Sequence, residues 1–402
     1  MAICAACAPS ARLTCRRTFQ PMSHSEPHHR SRRAASPSAF EQLLSEVRGE
    51  VDPRLERRLA VLHARLAAHG VGPTAAALRD FVLRGGKRFR AALVMIGYLG
   101  VDVRAARGPA FDAGAAFELL HAYLLVQDDW MDGDATRRGG PTVHAALARR
   151  YRDPALGPTS AILASDFACG MAFELLSSAK VPAEHALRAV REMLAAHEDV
   201  LLGQQLDLRP RSRAGASDVE RMHELKTASY TVRGPLLVGA ALAGAGEATM
   251  RALGRFASPL GIAFQLRDDL LGVFASEDYT GKPLANDLRA GKRTAVTVLA
   301  RGLMRTRGSD AYAQAFGNAG ASRAELLRAA RWLEACGIRR RVEERLRELC
   351  AEATRLTRRL PLAPCARTWL HGATAMLLEP VPPFASAAPS ARRPGNRRPR
   401  AS

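Results

Sequence analysis

The sequence predicts an all-α protein: a single large bundle of about ten or more helices, with a central cavity between facing helices. Three observations predict it. Ala, Leu and Arg dominate a chain that is 47% hydrophobic and only 5% aromatic, and these are the strongest helix formers. Apolar residues recur at helical spacing: Phe40, Leu43, Leu44 and Val47 repeat at i, i+3, i+4 and i+7, and Leu55, Leu59, Leu62 and Leu66 form a second stripe. No run alternates with period two for long enough to make a strand, and no repeat of 20–50 residues is visible.

The elements divide into three zones. Residues 1–39 and 381–402 are rich in Ser, Pro and Arg with little apolar content, and both tails are expected to be disordered. Residues 40–380 carry the helical domain. Within it, Ala113 to Asp132 is apolar on most faces, through Phe117, Leu119, Leu120, Leu124, Leu125 and Val126. Such a helix is buried. Leu253 to Val273 has the same character.

The net charge is +20, and the two tails carry half of it. The rest lies along helices as Arg/Glu pairs, as between Arg339 and Arg347, which is a solvated face. No basic-aromatic motif accompanies the charge, so a nucleic-acid partner is not expected. Seven cysteines, with Cys169 and Cys336 in apolar helical surroundings, point to free thiols and a cytoplasmic protein. Cys4, Cys7 and Cys15 lack a second ligand pair at zinc spacing. No segment reaches about 18 uninterrupted apolar residues, so no transmembrane segment is expected; Gly234 to Gly246 is too short. The Arg residues of the leader follow its apolar stretch, unlike those of a secretory signal. An organelle transit peptide and an over-long reading frame truly starting at Met22 both stay open.

The chemistry concentrates at the ends of the two buried helices. The first ends in Asp128, Asp129 and Asp132, with Asp134 following. Asp128 and Asp132 are four apart and share a helical face. The second carries Gln265, Asp268 and Asp269. Acids at a helix C-terminus oppose the macrodipole, and clustered carboxylates repel one another. A divalent cation resolves that conflict, and Mg²⁺ takes oxygen ligands from one or two carboxylates plus phosphates and water. Basic groups stand in order around these clusters. Lys87, Arg88 and Arg90 follow the pair Gly85-Gly86, and Arg137-Arg138 precedes Gly139-Gly140. Lys226-Thr227, Lys282 and Lys292 are further candidates to face anionic phosphates.

Over roughly residues 80–295 the chain resembles the trans-prenyl diphosphate synthases. The matching stretches are Gly85-Gly86-Lys87-Arg88-Phe89-Arg90, Glu118-Leu119-Leu120-His121, Asp128-Asp129-x-x-Asp132, Arg137-Arg138-Gly139, Lys226-Thr227, Phe264-Gln265-x-x-Asp268-Asp269, Thr280-Gly281-Lys282 and Gly291-Lys292. The resemblance implies an isoprenoid synthase type of helical bundle and a homodimer. It implies two or three Mg²⁺ ions, held by Asp128, Asp132 and Asp268 with Asp129 and Asp269 in support. Arg137, Lys226, Lys282 and Lys292 would then hold an allylic diphosphate. Lys87, Arg90, His121 and Arg138 would hold isopentenyl diphosphate. Thr227 and Gln265 would line the reacting centre beside Lys226 and Lys282. In that reaction the diphosphate leaves, the double bond of isopentenyl diphosphate attacks the allylic cation, and the departed diphosphate takes up the proton that is lost. One departure stands out: the position that usually carries a third acid in the second motif is Gly272.

The resemblance also bears on product length. In this family it is set just before the first Asp motif, where Tyr123 is aromatic and Leu124 is not. No two residues are inserted between Asp129 and Asp132. This pattern is most like geranylgeranyl diphosphate synthases, which make a C20 product. A farnesyl (C15) synthase and a non-catalytic partner subunit are the alternatives. A terpene cyclase would not need the second diphosphate site implied by Lys87, Arg90 and His121.

Overall fold

The computed structural model describes residues 38–208, 215–280, 284–304 and 306–382. Lys282, Cys4, Cys7 and Cys15 lie outside them, as does most of both basic tails. The chain opens with α1 (Ala39–Ala68), α2 (Gly72–Leu83), α3 (Phe89–Val101) and α4 (Gly108–Met131), followed by the short strands β1 (Thr136–Arg137) and β2 (Gly140–Pro141). Next come α5 (Val143–Tyr151), α6 (Leu156–Ser177), α7 (Ala183–Leu208) and α8 (Ala216–His223), a π-helical segment (Glu224–Arg233), and α9 (Gly234–Leu242) and α10 (Glu247–Phe274). The last part holds α11 (Glu277–Thr280), α12 (Asn286–Arg289), α13 (Ala295–Arg301), α14 (Ser309–Ala315), α15 (Arg323–Ala335), α16 (Ile338–Thr357) and α17 (Pro364–Leu377). The all-α class expected from composition and periodicity holds.

The start of α1 follows from its cap. The Ser38 N–H donates to the Glu41 carboxylate (2.6 Å) and the Glu41 N–H donates to the Ser38 hydroxyl (3.2 Å), a reciprocal capping box. The two apolar stripes of the sequence belong to this one helix, which runs on through Pro53 and buries Phe40, Val47, Leu55 and Leu62. α4 packs against α3 and α6, and α10 against the π-helical segment and α16. Gly97 of α3 and Gly239 of α9 face each other's helices so closely that a Cβ at either would collide with a backbone carbonyl, of Leu236 and Val94 respectively. Only glycine permits that approach. β1 and β2 pair antiparallel around Arg138 and Gly139, both at positive φ, as a two-residue hairpin requires.

By length and composition alone, α6 is apolar enough to cross a membrane. Its small residues Ser160, Ala161, Ala164, Ala168 and Ala172 are buried, and it packs against α4.

Candidate active site

α4, α7, the π-helical segment and α10 surround a cavity of about 860 Å³. Both acidic clusters reach it: Asp128 from α4 and Asp268 from α10 line the same space, although they are far apart in sequence. Lys292 pairs with Asp132 of the first cluster. Of the sequence candidates, Lys87, Arg90, His121, Leu124, Asp128, Arg137, Arg138, Lys226, Thr227, Gln265, Asp268, Asp269 and Lys292 all line the cavity.

Among the described candidates three do not, Asp129, Asp132 and Tyr123; Asp132 pairs instead with Lys292, and helix geometry says why Asp129 turns away. Asp129 is fully buried one position past Asp128, and successive helix positions turn about 100°. It accepts a hydrogen bond from Arg137 Nε instead of facing the cavity. Burial, partly offset by Arg137, pushes its carboxyl up to about 6. Tyr123 stands behind the wall. Its ring packs edge-on to His197 at 5.3 Å, with the Tyr123 hydroxyl 3.4 Å from His197 Nε2. Leu124, four positions before Asp128, is the residue that lines the cavity. Of the two chain-length candidates, Leu124 and not Tyr123 meets the cavity.

The charges interlock. Burial works against the Asp128 carboxylate, but Lys226, Lys292 and Arg137 together hold its pKa below the ordinary value. Asp128 Oδ1 is 3.3 Å from Lys226 Nζ, yet it accepts no aligned hydrogen bond. Lys226 donates to Asp207 Oδ2 at 2.7 Å, and this ring of carboxylates raises its pKa despite burial. On the other wall, Thr227 donates to Gln265 Oε1 (2.6 Å) and Gln265 Nε2 donates to Asp269 Oδ1 (2.8 Å). Asp269 Oδ2 accepts the Ala295 N–H at 2.8 Å. Burial pushes Asp269 up to about 7, even against those two hydrogen bonds. His121 is held neutral, first by burial and then by Arg90, Arg138, Arg137 and Arg88 around it. Its buried Nδ1 has no hydrogen-bond partner.

Sequence reasoning missed three groups on these walls. Asp207, at the end of α7, is the main partner of Lys226. His223, which burial pushes down to about 4, lies with Nε2 3.4 Å from Asp269 Oδ2. Tyr230 completes the set. None belongs to a cluster of like residues. His223 stands three residues before Lys226-Thr227, and that proximity is the one local signal it gives.

The departure at Gly272 also has a structural reading. A Cβ there would collide with the carboxylate of Asp287, from α12. The space that a third acid would enter is therefore already taken by a carboxylate from another helix. Gly272→Asp is expected to lower the melting temperature and to leave Mg²⁺ affinity no better. Gly272→Asp combined with Asp287→Gly should recover the loss. Differential scanning calorimetry of the single and double variants checks this, and an unchanged melting temperature for the single variant would contradict it.

An all-helical bundle that gathers two carboxylate clusters and separate sets of Lys and Arg around one apolar-walled cavity defines an enzyme of diphosphate chemistry. The sequence matches the polyprenyl synthetase family over residues 73–331. A geranylgeranyl diphosphate synthase of Mycobacterium tuberculosis is 37% identical over 265 residues, 64% of this chain and 71% of the relative. One of Sulfolobus acidocaldarius is 36% identical over 251 residues, 61% of this chain and 72% of the relative. A Corynebacterium glutamicum geranylgeranyl pyrophosphate synthase, solved with isoprenyl diphosphate and magnesium, is 30% identical with a TM-score of 0.78 and covers 85% of this chain and 99% of its own. The chain belongs to the polyprenyl synthetase family. It is a prenyltransferase that condenses isopentenyl diphosphate with allylic diphosphates.

Proposed function

We propose that the protein is a geranylgeranyl diphosphate synthase that adds isopentenyl diphosphate to shorter allylic diphosphates and stops at C20. The observation that carries this reading is the shared cavity of Asp128 and Asp268, with separate basic groups on either side of it. Lys226, Lys292 and Arg137 stand beside the carboxylates and receive the allylic diphosphate, together with Lys282. Lys87, Arg90, His121 and Arg138 receive isopentenyl diphosphate. A neutral His121 donates a hydrogen bond without adding charge.

The donor set fits two or three Mg²⁺ ions. The buried Oδ1 of Asp128 lacks a hydrogen-bond partner, and burial raises the pKa of Asp129 behind it and of Asp269. A nearby cation relieves both conditions. Among the described residues no three ligating side chains converge as a complete site, and Mg²⁺ leaves most positions to phosphate and water. Bound Mg²⁺ would neutralise the leaving diphosphate. Arg137, Lys226 and Lys292 add preorganised positive charge where that group departs. Thr227 and Gln265, fixed by their mutual hydrogen bond, orient the reacting centre. Leu124, Leu125, Val200 and Phe264 wall the cavity and keep water from the cation.

A homodimer is part of this reading. α6 and α7 pack together and expose Leu163, Leu187, Leu194, Leu201 and Leu202, an apolar surface suited to a second copy. The helical domain spans residues 40–380, and the protein works in the cytoplasm. The free thiols of Cys169, Cys336, Cys350 and Cys365 suit a reducing compartment.

The test is direct: incubate the protein with Mg²⁺, labelled isopentenyl diphosphate and each allylic primer, then size the products. C20 is expected. A C15 end point would favour the farnesyl reading, for which a Bacillus subtilis farnesyl diphosphate synthase, 34% identical over 223 residues, is a reference. No incorporation with any primer would favour a partner subunit. Leu124→Ala should lengthen the product by one C5 unit, and Tyr123→Ala should do so less, since its ring stands behind the wall. A larger shift for Tyr123→Ala would return the floor to Tyr123.

A further inference from the structure

The π-helical segment brings two adjacent side chains to one guanidinium. Arg90 Nη2 donates to the Thr231 hydroxyl at 2.7 Å. The Arg90 guanidinium carbon also lies 4.6 Å from the centroid of the Tyr230 ring. In an α-helix neighbouring side chains diverge by about 100°. The wider i→i+5 turn of a π-helix reduces that divergence, so a ring face and a hydroxyl reach the same cation. The Tyr230 ring also lies 6.0 Å from the His121 ring, tilted by 38°. Its apolar side belongs to a small cluster with Ala196, Val200 and Leu124, apart from the main core. Arg90 itself is buried, and its Nε has no hydrogen-bond partner. Tyr230 thus stands between the cationic end of the cavity and its apolar wall.

We propose that Tyr230 is a positioning residue for isopentenyl diphosphate, its ring face holding the Arg90 guanidinium edge-on to the cavity beside His121. This rests on the assignment of Arg90 and His121 to that substrate. Arg presents its N–H groups in one plane. A ring beneath that plane and a hydroxyl on one edge fix its tilt while leaving the other donors for phosphate oxygens. Without the ring, the long side chain must be ordered by the substrate itself, which lowers affinity. The Tyr230 hydroxyl takes no part; the aromatic face does.

The experiment is calorimetric titration of isopentenyl diphosphate alone into the full chain, for the wild type and for Tyr230→Phe, Tyr230→Leu and Tyr230→Ala. Tyr230→Phe keeps the affinity, whereas Tyr230→Leu and Tyr230→Ala lose about tenfold, the size of a desolvated cation–π contact. In turnover assays the KM for isopentenyl diphosphate rises in the same two variants, while the KM for the allylic primer moves less than twofold. Leucine fills most of the ring's volume, so a merely structural role predicts wild-type affinity for Tyr230→Leu. That result overturns the proposal, as does an equal loss for both substrates or a loss in Tyr230→Phe. If Tyr230→Ala does not fold, the Leu and Phe variants decide alone. A wild type that binds no isopentenyl diphosphate and forms no product overturns the functional assignment and this proposal with it. A wild type that turns over normally while all variants bind equally overturns this proposal alone.

Discussion

Asp128→Asn should lower kcat by about 10²–10³-fold, the scale lost when a preorganised electrostatic contact to a developing charge is removed, while isopentenyl diphosphate still binds. Asp128 lines the cavity, and three cations hold it ionised against burial. The amide keeps its shape and removes its charge. Lys226 retains a 2.7 Å hydrogen bond to Asp207, so the lysine stays in place and the loss reports on the carboxylate. Lys87, Arg90 and His121 belong to other parts of the wall, so calorimetric binding of isopentenyl diphosphate should change less than threefold. Chelation of Mg²⁺ should abolish turnover in the wild type, and added Mg²⁺ should restore it. Asp129→Asn is the contrasting variant. Asp129 faces Arg137 instead of the cavity, so its loss should act through Arg137 and raise the allylic KM as well. Wild-type turnover by Asp128→Asn would remove the carboxylate from the reaction.

The sequence exposes those parts of the site that are local and periodic. Asp128 and Asp132 end an apolar helix, and Gln265, Asp268 and Asp269 share another, so their convergence could be argued from spacing. Lys87, Arg90, Arg137 and Arg138 lie beside glycine pairs, another local signal. What it hides depends on packing between distant helices. Nothing around Asp207 announces that it will meet Lys226. The π-helical turn that brings both Tyr230 and Thr231 to Arg90 has no residue pattern of its own. Asp287 fills the space above Gly272 only because α12 folds back onto α10. The family resemblance named Tyr123 and Leu124 together as chain-length candidates. A helix shows one face to the cavity, and that face takes Leu124.

Arg88 illustrates the same limit and carries the largest expected effect on stability. In sequence it is one cation among three; in the structure it is a clamp. Its side chain is 2% exposed. Nε donates to Asp52 at 2.7 Å, Nη1 to Glu118 at 3.0 Å and Nη2 to the Val82 carbonyl at 3.1 Å, so α1, α2 and α4 meet on one residue. Burial opposes its charge, but Glu118 and Asp52 outweigh that and raise its pKa. The backbone at Arg88 is left-handed, with φ near 50°, a conformation that costs energy and persists only where the surroundings impose it. Arg88→Ala strands Glu118, whose own side chain is 4% exposed. Removing one partner of such a pair costs about 3–5 kcal/mol. Urea unfolding should show that loss. Arg88→Lys should recover little of it, because an ammonium cannot reach three acceptors spread across a planar fork. Replacing both partners, as Arg88→Met with Glu118→Leu, should recover most of the stability, since a buried pair exchanged for apolar groups of similar volume is close to neutral. Lys87 and Arg90 flank the clamp, so Arg88→Ala should also weaken isopentenyl diphosphate binding in the fraction that stays folded. A loss below about 1 kcal/mol, the worth of an exposed pair, would mean that Glu118 finds water or another partner once Arg88 is gone.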